Sequence, residues 1–184
     1  MKIKIVDELM VPLSEYAVVN ENESLKTAIQ VLYECQKEPS CSTYKHKAVL
    51  VSNDKKKIIG KVGPLDVLKA LEPKYGQIGQ LSTMSLSRFG LDTEFLNSMM
   101  GHYNLWDKDC GSLAKTASKL KVKKIMYSPG EGEYVKESAP VSEAIHQFIL
   151  GHHQSLLVLR KDDVVGILRL ADIYKFICDL MIEE

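Results

Sequence analysis

The sequence lacks a net charge, a long apolar stretch and a signal-peptide core, and each absence argues against one class of protein. Its 184 residues carry 24 basic and 24 acidic side chains, so the sequence-independent attraction that nucleic-acid binders use is absent. No stretch reaches the roughly 18 apolar residues of a membrane helix, and the amino-terminal residues lack the apolar core of a signal peptide. We therefore expect a cytoplasmic protein with no nucleic-acid partner and no membrane span.

Cysteine is also scarce. The four cysteines, Cys35, Cys41, Cys110 and Cys178, are too few and too irregularly spaced for a disulfide framework. A zinc site built from Cys35, Cys41 and some of His46, His102, His152 or His153 stays open as an alternative, although the sequence has no Cys-x-x-Cys pair and no fixed histidine spacing. No nucleophile–base order, metal-ligand cluster or glycine-rich phosphate loop stands out, so we expect neither an enzyme nor a required cofactor.

What the sequence does have is an internal repeat. Residues 24–71 and 140–177 share an order of elements, and each copy ends on a glycine followed six positions later by an aspartate. The first copy has Gly60 and Asp66, and the second has Gly166 and Asp172, an offset of 106 (166 − 60 and 172 − 66). A repeated unit packs its apolar face against its twin, so the repeat predicts a pseudo-twofold pair.

Each copy predicts the order strand, helix, strand, strand, helix, in an α+β fold. Short apolar stretches at 16–19 and 133–135 predict the opening strands. Apolar residues at helical spacing predict the helices that follow: Leu25, Ala28, Ile29, Leu32 and Tyr33 in one copy, and Val141, Ala144, Ile145, Phe148 and Ile149 in the other. Apolar runs around the turns 53–55 and 161–163 predict hairpins of buried strands, and second helices are predicted at 64–71 and 170–181.

The segment between the copies predicts a helical insertion. Its helical stripes are Phe95, Leu96, Met99, Met100 and Tyr103, then Leu113, Ala117 and Leu120, with a bend at 101–111. One interpretation is a small helical subdomain that covers the core. The other is that Met99, Met100 and Trp106 face a partner, since methionine adapts to irregular contacts. The predicted boundaries are 1–73 for the first motif with its lead-in, 74–121 for the insertion and 122–184 for the second motif.

Both copies resemble the cystathionine β-synthase (CBS) domains, which occur as tandem pairs called Bateman modules. The resemblance rests on the two glycine-to-aspartate endings, the shared element order, and two similar lead-ins at 6–12 and 122–129, each with an apolar residue, a methionine and a nearby proline. It covers both repeats and their lead-ins, and the middle segment lies outside the family pattern.

The resemblance implies a disc of two half-domains with two clefts between them. Family members commonly bind AMP, ADP, ATP or S-adenosylmethionine in such clefts, and associate face to face as homodimers through their helices. It therefore implies a regulatory module that senses an adenosine-type ligand and acts on a protein partner in trans. The alternative is a structural dimerisation module with no small-molecule ligand.

The resemblance also carries over candidate ligand-binding residues. Asp66 and Asp172 match the family's ribose-binding aspartate, although an acidic residue near a helix start also stabilises the helix by itself. The stretches matched to the wall of the base slot contain Tyr16, Ala17, Tyr134 and Val135. The family's hydroxyl position holds Gly63 in one copy and Arg169 in the other, so Arg169 either contacts a phosphate or fills the cleft and pairs with an acidic neighbour.

Two further groups of residues carry expectations. His46, His152 and His153 precede a core strand and are expected on the surface or at a helix cap, with contact to a phosphate as the alternative. Gly60 and Gly166 are expected where one strand closely approaches its neighbour.

Overall fold

The fold is described from a computed structural model, for residues 4–37, 46–74, 98, 101–105 and 107–183. The strands are β1 Val11–Pro12, β2 Val18–Asn20, β3 Val49–Ser52, β4 Ile58–Val62, β5 Tyr134–Lys136, β6 Ser155–Arg160 and β7 Asp163–Arg169. The α-helices with described bounds are α1 Leu25–Cys35, α2 Pro64–Leu71, α3 Cys110–Ala117, α4 Val141–Gly151 and α5 Leu170–Ile182. Short 3-10 helices cover Val6–Glu8, Leu13–Glu15, Val122–Lys124 and Glu131–Glu133.

Each copy folds as the predicted unit of strand, helix, strand, strand and helix. In the first copy β2 pairs parallel with β3, and β3 pairs antiparallel with β4. The second copy repeats this pattern with β5, β6 and β7. The middle strands β3 and β6 carry consecutive buried residues, as expected for strands covered on both faces. The opening strands begin slightly later than predicted, at Val18 and Tyr134.

The helices begin and bury residues as their sequences predict. The Ser24 hydroxyl accepts a hydrogen bond from the Thr27 amide and caps α1, whose Leu25 and Ala28 are buried. Pro64 opens α2, where its missing amide hydrogen costs no hydrogen bond. Each repeat therefore builds its own apolar core between one sheet and two helices.

The lead-ins cross over between the copies. β1, in the first lead-in, pairs with β7 of the second copy, with Val11 opposite Ile167. The second lead-in pairs with the first copy through the Lys61–Tyr127 bridge. Val6 is accordingly buried in the core of the second copy, and Val122 in the core of the first. Neither core is complete without the lead-in of the other copy.

The two repeat glycines lie where these lead-ins cross. A Cβ atom on Gly166 would come 2.6 Å from the carbonyl oxygen of Val11, and one on Gly60 would come 2.9 Å from that of Tyr127. Both distances are too short for a side chain, so the prediction of close approach is confirmed.

The middle segment is helical in the part that the structure describes. α3 confirms the second predicted stripe, with Leu113 and Ala117 buried. The predicted bend begins later than expected. Residues 101–102 are helical and the turn begins at Tyr103, so the predicted start at residue 101 is wrong. The remaining residues of these predictions lie outside the described residues: Phe95, Leu96, Met99, Met100 and Trp106.

A third apolar cluster joins the two copies at the pseudo-twofold axis. Its buried members are Val11, Tyr16, Leu50, Leu157 and Ile167. Leu50 and Leu157 hold corresponding positions in the middle strands β3 and β6. Among the described residues, no helix is both long and apolar enough to cross a membrane.

Candidate functional site

Two equivalent sites form where the last strand of each repeat enters a helix. Asp66 is the third residue of α2, and its carboxylate accepts the Gly63 amide at 2.8 Å. Asp172 is the third residue of α5, and its carboxylate accepts the Arg169 amide at 3.3 Å. Both carboxylates therefore satisfy an exposed amide at a helix start, as predicted from the sequence.

We name these sites after their aspartates. The Asp66 site comprises Lys61, Gly63, Asp66, Tyr127, Glu133 and Ser155. The Asp172 site comprises Val11, Tyr16, His46, Ile167, Arg169 and Asp172. Each site combines the strand–helix junction of one copy with residues of the other copy, which the exchanged lead-ins bring alongside.

The strand registers give the equivalent positions of the two sites. Lys61 of β4 pairs with Tyr127 of the second lead-in, and Ile167 of β7 pairs with Val11 of the first lead-in. Lys61 and Ile167 are therefore equivalent positions, as are Tyr127 and Val11. Val19 and Val135 hold the same register position in the two parallel strand pairs, beside Val51 and Val158. Counting back two residues, Ala17 of the first copy corresponds to Glu133 of the second.

In the Asp172 site, the Arg169 guanidinium donates hydrogen bonds to both oxygens of the Asp172 carboxylate. Its Nε donates to Asp172 Oδ2 at 2.6 Å, and its Nη2 donates to Oδ1 of the same carboxylate. Its Nη1 lies 3.1 Å from Nδ1 of His46. Arg169 is only 7% exposed. The sequence predicted two alternative roles for Arg169. In the structure it fills the site and pairs with an acidic neighbour, Asp172.

His46 is buried behind Arg169, so the expectation of a surface or capping position is wrong for this histidine. The residue is 1% exposed, and its ring centroid lies 4.2 Å from that of Tyr16. Because a guanidinium can only donate, Nδ1 must accept and the imidazole is neutral. Burial, and then the charge of Arg169, lowers the pKa of His46. The polar sequence around residue 46 gave no sign of this burial.

The floor of the Asp172 site is apolar. Val11 and Ile167 face each other across β1 and β7, and both belong to the central cluster together with Tyr16. The position equivalent to Glu133 is Ala17, which is buried in the core of the first copy. The strand that leads to Asp172 therefore carries an apolar residue, Ile167, at the position where the first copy has Lys61.

The Asp66 site has an ion pair where the Asp172 site is apolar. Lys61 Nζ lies 2.7 Å from Glu133 Oε2 and 3.3 Å from the Ser155 hydroxyl. The Tyr127 hydroxyl donates a short hydrogen bond to Glu133 Oε1. Lys61 comes from the first copy, and its partners come from the second copy and its lead-in. The network therefore ties the two halves together.

The electrostatics keep this ion pair charged. Burial by itself would raise the pKa of Glu133, which is 4% exposed, but hydrogen bonds from Lys61 and Tyr127 and the charge of Lys61 hold that pKa below its ordinary value. The hydrogen bond to Glu133, followed by burial, raises the pKa of Tyr127. Glu133 is an anion and Tyr127 a neutral donor near pH 7.

The Asp66 carboxylate has fewer hydrogen-bond partners than the Asp172 carboxylate. Within the described part of the chain, its one hydrogen bond comes from the Gly63 amide. A Cβ atom on Gly63 would meet only Asp66 Oδ2, at 3.6 Å. The position that holds the Arg169 side chain in one site is therefore open in the other.

The remaining predicted residues lie in different surroundings. Tyr134 is half-buried against the central cluster, and Val135 is buried in the core of the second copy. His152 adopts a left-handed backbone conformation and ends α4, as predicted for a cap. Cys41, part of the zinc alternative, lies outside the described residues, and the described ones contain no group of three metal-ligating side chains.

Comparisons with known proteins agree with this architecture. The family model for the CBS domain matches residues 6–73 and 122–179. No curated protein matches the sequence. Among solved structures, the AMP complex of CBSX2 has a TM-score of 0.57 at 18% identity and covers 98% of each chain. A putative acetoin utilization protein (AcuB) from Vibrio cholerae has a TM-score of 0.59 at 16% identity, covering 98% of this chain and 94% of its own.

Proposed function

The chain belongs to the CBS-domain family, with two tandem motifs, and from this premise we propose that it is a cytoplasmic regulatory module that binds an adenosine-type nucleotide and acts on a protein partner in trans. The ligand occupies the Asp172 site, between the two motifs. The protein performs no catalysis, and the bound nucleotide acts as a signal.

The observation that supports the proposal is the Asp172 carboxylate, which pairs with Arg169 at the end of β7, the strand whose Ile167 belongs to the apolar cluster of both copies. An adenine base is best held in an apolar slot, and the two hydroxyls of a ribose suit one carboxylate with two acceptor oxygens. The AMP complex of CBSX2, which shares the fold, supports the ligand class.

The Asp66 site is a poorer site for a base. At the positions of Ile167 and Ala17 it holds the ion pair of half-buried Lys61 and buried Glu133. A base placed there would have to separate the buried Glu133 carboxylate from the half-buried Lys61 ammonium, which is unfavourable. We assign this site to joining the two motifs.

The test is a thermal-shift screen of the protein against AMP, ADP, ATP, S-adenosylmethionine and NAD, with and without magnesium. A ligand at 100 times its Kd stabilises the folded state by about 2.7 kcal/mol, so a true ligand raises the Tm in a dose-dependent way. We expect Asp172→Asn to abolish the shift and the matched variant Asp66→Asn to retain it. A flat response to every nucleotide would contradict the proposal.

The second candidate, a structural dimerisation module, is favoured by the exposed apolar helix faces. Leu65 and Leu68 on α2 are both more than half exposed, and Ile149 and Leu150 on α4 are equally accessible. Such faces favour association, so we propose a homodimer under either function.

Light scattering after size-exclusion chromatography tests the dimer. Leu65→Glu with Leu68→Glu should give monomers, whereas Lys115→Glu on the exposed face of α3 should not change the mass. If the double variant stays dimeric, this face is not the interface. Loss of the dimer without any nucleotide response in the wild type would favour the structural module.

A further inference from the structure

We propose that two molecules of this protein associate head to tail, with a basic end on the first repeat of each molecule beside an acidic end on the second repeat of its partner. The inference rests on the homodimer proposed above and gives the arrangement of its two chains. It comes from the exposed charges near the hairpin turns, which lie at the opposite ends of β4 and β7 from the two aspartate sites.

The basic end forms where the second lead-in meets the first repeat. The Lys123 amide donates to the Glu21 carbonyl. The Asn22 side-chain oxygen accepts from Lys123 Nζ at 2.9 Å, and the Asn22 carbonyl accepts from Lys121 Nζ at 2.7 Å. The Asn22 side chain also donates to Asp54 in the hairpin turn at 3.4 Å, so the lead-in and the turn lie side by side. We define the basic end by its exposed lysines: Lys55, Lys56, Lys57, Lys121, Lys123 and Lys124.

The equivalent end of the second repeat has the opposite charge. The Asp7 amide donates to the Glu137 carbonyl, the same contact that the Lys123 amide makes in the other repeat, so Asp7 and Lys123 are equivalent positions. Glu8 is accordingly equivalent to Lys124. We define the acidic end by the exposed carboxylates of this lead-in and of the turn between β6 and β7: Asp7, Glu8, Asp162 and Asp163.

Neighbouring charges do not cancel the difference between the two ends. The segments of the basic end hold six lysines and three carboxylates, a net charge of +3 (6 − 3), over residues 20–23, 53–57 and 121–124. The equivalent segments of the acidic end hold three basic side chains and five carboxylates, a net charge of −2 (3 − 5), over residues 5–8, 136–139 and 160–163. Within the described part of the chain, none of the six lysines forms a salt bridge.

The exposed apolar helix faces do not set the orientation of a dimer by themselves. α1 begins at the basic end and α4 at the acidic end. Tyr33 and Ile149, at equivalent positions of these two helices, are both more than half exposed. An apolar contact is therefore available to like repeats and to unlike repeats. Charge discriminates between the two, because like ends repel and unlike ends attract in both halves of a twofold-symmetric dimer.

Analytical ultracentrifugation of the full chain at about 50 mM NaCl, where screening is weak, tests the proposal. Lys123→Asp with Lys124→Glu makes both ends acidic, and Asp7→Lys with Glu8→Lys makes both ends basic. Each double variant should raise the dimer Kd at least about tenfold, because two attractive contacts become repulsive. The contacts of Asp7 and Lys123 to the repeats are made by main-chain amides, so the variants keep them.

A matched control separates the position of the charges from their number. Lys47→Glu with Lys115→Glu changes the net charge as much as the first double variant, at exposed positions outside both ends. We expect its dimer Kd to stay within about twofold of the wild type.

The exchange of all four lead-in charges within one chain tests the orientation itself. The variant that combines Asp7→Lys, Glu8→Lys, Lys123→Asp and Lys124→Glu again has ends of opposite charge. It should therefore dimerise more tightly than either double variant. In a head-to-head dimer, Lys123→Asp with Lys124→Glu would relieve the repulsion between two basic ends and lower the Kd instead of raising it.

Cross-linking of the wild type gives a second measurement that needs no variant. A carbodiimide joins lysine amines to carboxylates that are in contact, and a mixture of isotopically light and heavy chains identifies links between molecules. We expect peptides that join Lys123 or Lys124 of one molecule to Asp7 or Glu8 of another.

The outcomes separate the arrangement from the dimer. A dimer that responds to neither double variant, or that yields no cross-links between the two lead-ins, would overturn the head-to-tail arrangement and leave the proposed homodimer standing. A wild type that remains monomeric at every concentration would overturn both. Neither result bears on nucleotide binding, which the thermal-shift screen tests separately.

Discussion

The Asp66 site and the Asp172 site have the same backbone and different chemistry. Each lies at a strand–helix junction beside the lead-in of the other copy, with an aspartate three residues into the helix. One site has Lys61 and Glu133 at its floor and an open position at Gly63. The other has Ile167 at the position of Lys61, Ala17 at the position of Glu133, and the Arg169 side chain at the position of Gly63; Ala17 itself is buried in the core of the first copy. The repeat therefore preserves the fold of two sites whose side chains differ.

The comparison shows how two sites related by pseudo-symmetry can take different roles. A buried ion pair holds geometry well when it is complete, but it is expensive to disrupt. An apolar floor adapts to a flat ring, and a salt bridge at its edge can be exchanged for ligand contacts. We infer that the Asp66 site fixes the two motifs to each other and that the Asp172 site responds to ligand.

The largest effect is expected from breaking the ion pair. Glu133→Ala installs the residue of the other site but leaves half-buried Lys61 without its anion, which should lower the free energy of unfolding by up to about 3 kcal/mol. Urea denaturation followed by circular dichroism measures this loss.

A double variant sharpens the same comparison. Lys61→Ile with Glu133→Ala converts the floor of the Asp66 site to that of the Asp172 site, and should recover most of the lost stability because no buried charge is left over. If the double variant is less stable than Glu133→Ala alone, the ion pair contributes more than mutual neutralisation and the equivalence of the two floors is wrong.

The next effect compares the two aspartates without ligand. Asp172→Asn removes the charge partner of buried Arg169 and should cost about 3 kcal/mol. Asp66→Asn keeps an acceptor for the Gly63 amide and should cost less than about 1 kcal/mol. Chemical denaturation of the two variants side by side checks the order, and equal costs would mean that Arg169 gains nothing from its salt bridge.

A smaller effect is expected at the glycines where the lead-ins cross. Gly166→Ala forces a methyl group against the Val11 carbonyl and should cost about 1–3 kcal/mol, as overpacking usually does. Gly60→Ala should cost less, because its contact with Tyr127 is longer and the Met126 side chain beside it can move. Thermal melts of the two variants measure the difference, and the reverse order would show that the second lead-in is the more rigid one.

The smallest effect is a pH dependence confined to the Asp172 site. Because the pKa of His46 lies below its ordinary value of 6.5, the unfolded chain binds a proton there that the folded chain does not. Its contribution to stability is full above pH 6.5 and declines as the pH falls toward the lowered folded value. We expect His46→Gln to flatten the dependence of Tm on pH in this range, and His146→Gln, at an exposed position, to leave it unchanged. Identical slopes for wild type and His46→Gln would contradict the buried neutral imidazole.

Much of the fold follows from local sequence patterns. Helical spacing placed α1, α4 and α5, the proline after the first hairpin placed α2, and the two glycine-to-aspartate endings located both site aspartates. These features depend on residues close together in the chain, where periodicity and turn chemistry act directly.

The side chains that make up each site could not be predicted from local sequence patterns. Glu133 contacts Lys61, and Arg169 contacts His46, between the two copies, and no local pattern in the sequence records which residues of the two copies meet. Arg169 shows the limit most clearly. The sequence left a phosphate contact and an internal salt bridge as alternatives for this residue, and the choice depended on which groups the fold brought within reach.

The most direct test of the division between the two sites is the stoichiometry of AMP binding by isothermal titration calorimetry. The account predicts one AMP per chain, with binding lost in Asp172→Asn and preserved in Asp66→Asn. Two AMP molecules per chain, or binding that depends on Asp66 and not on Asp172, would contradict it.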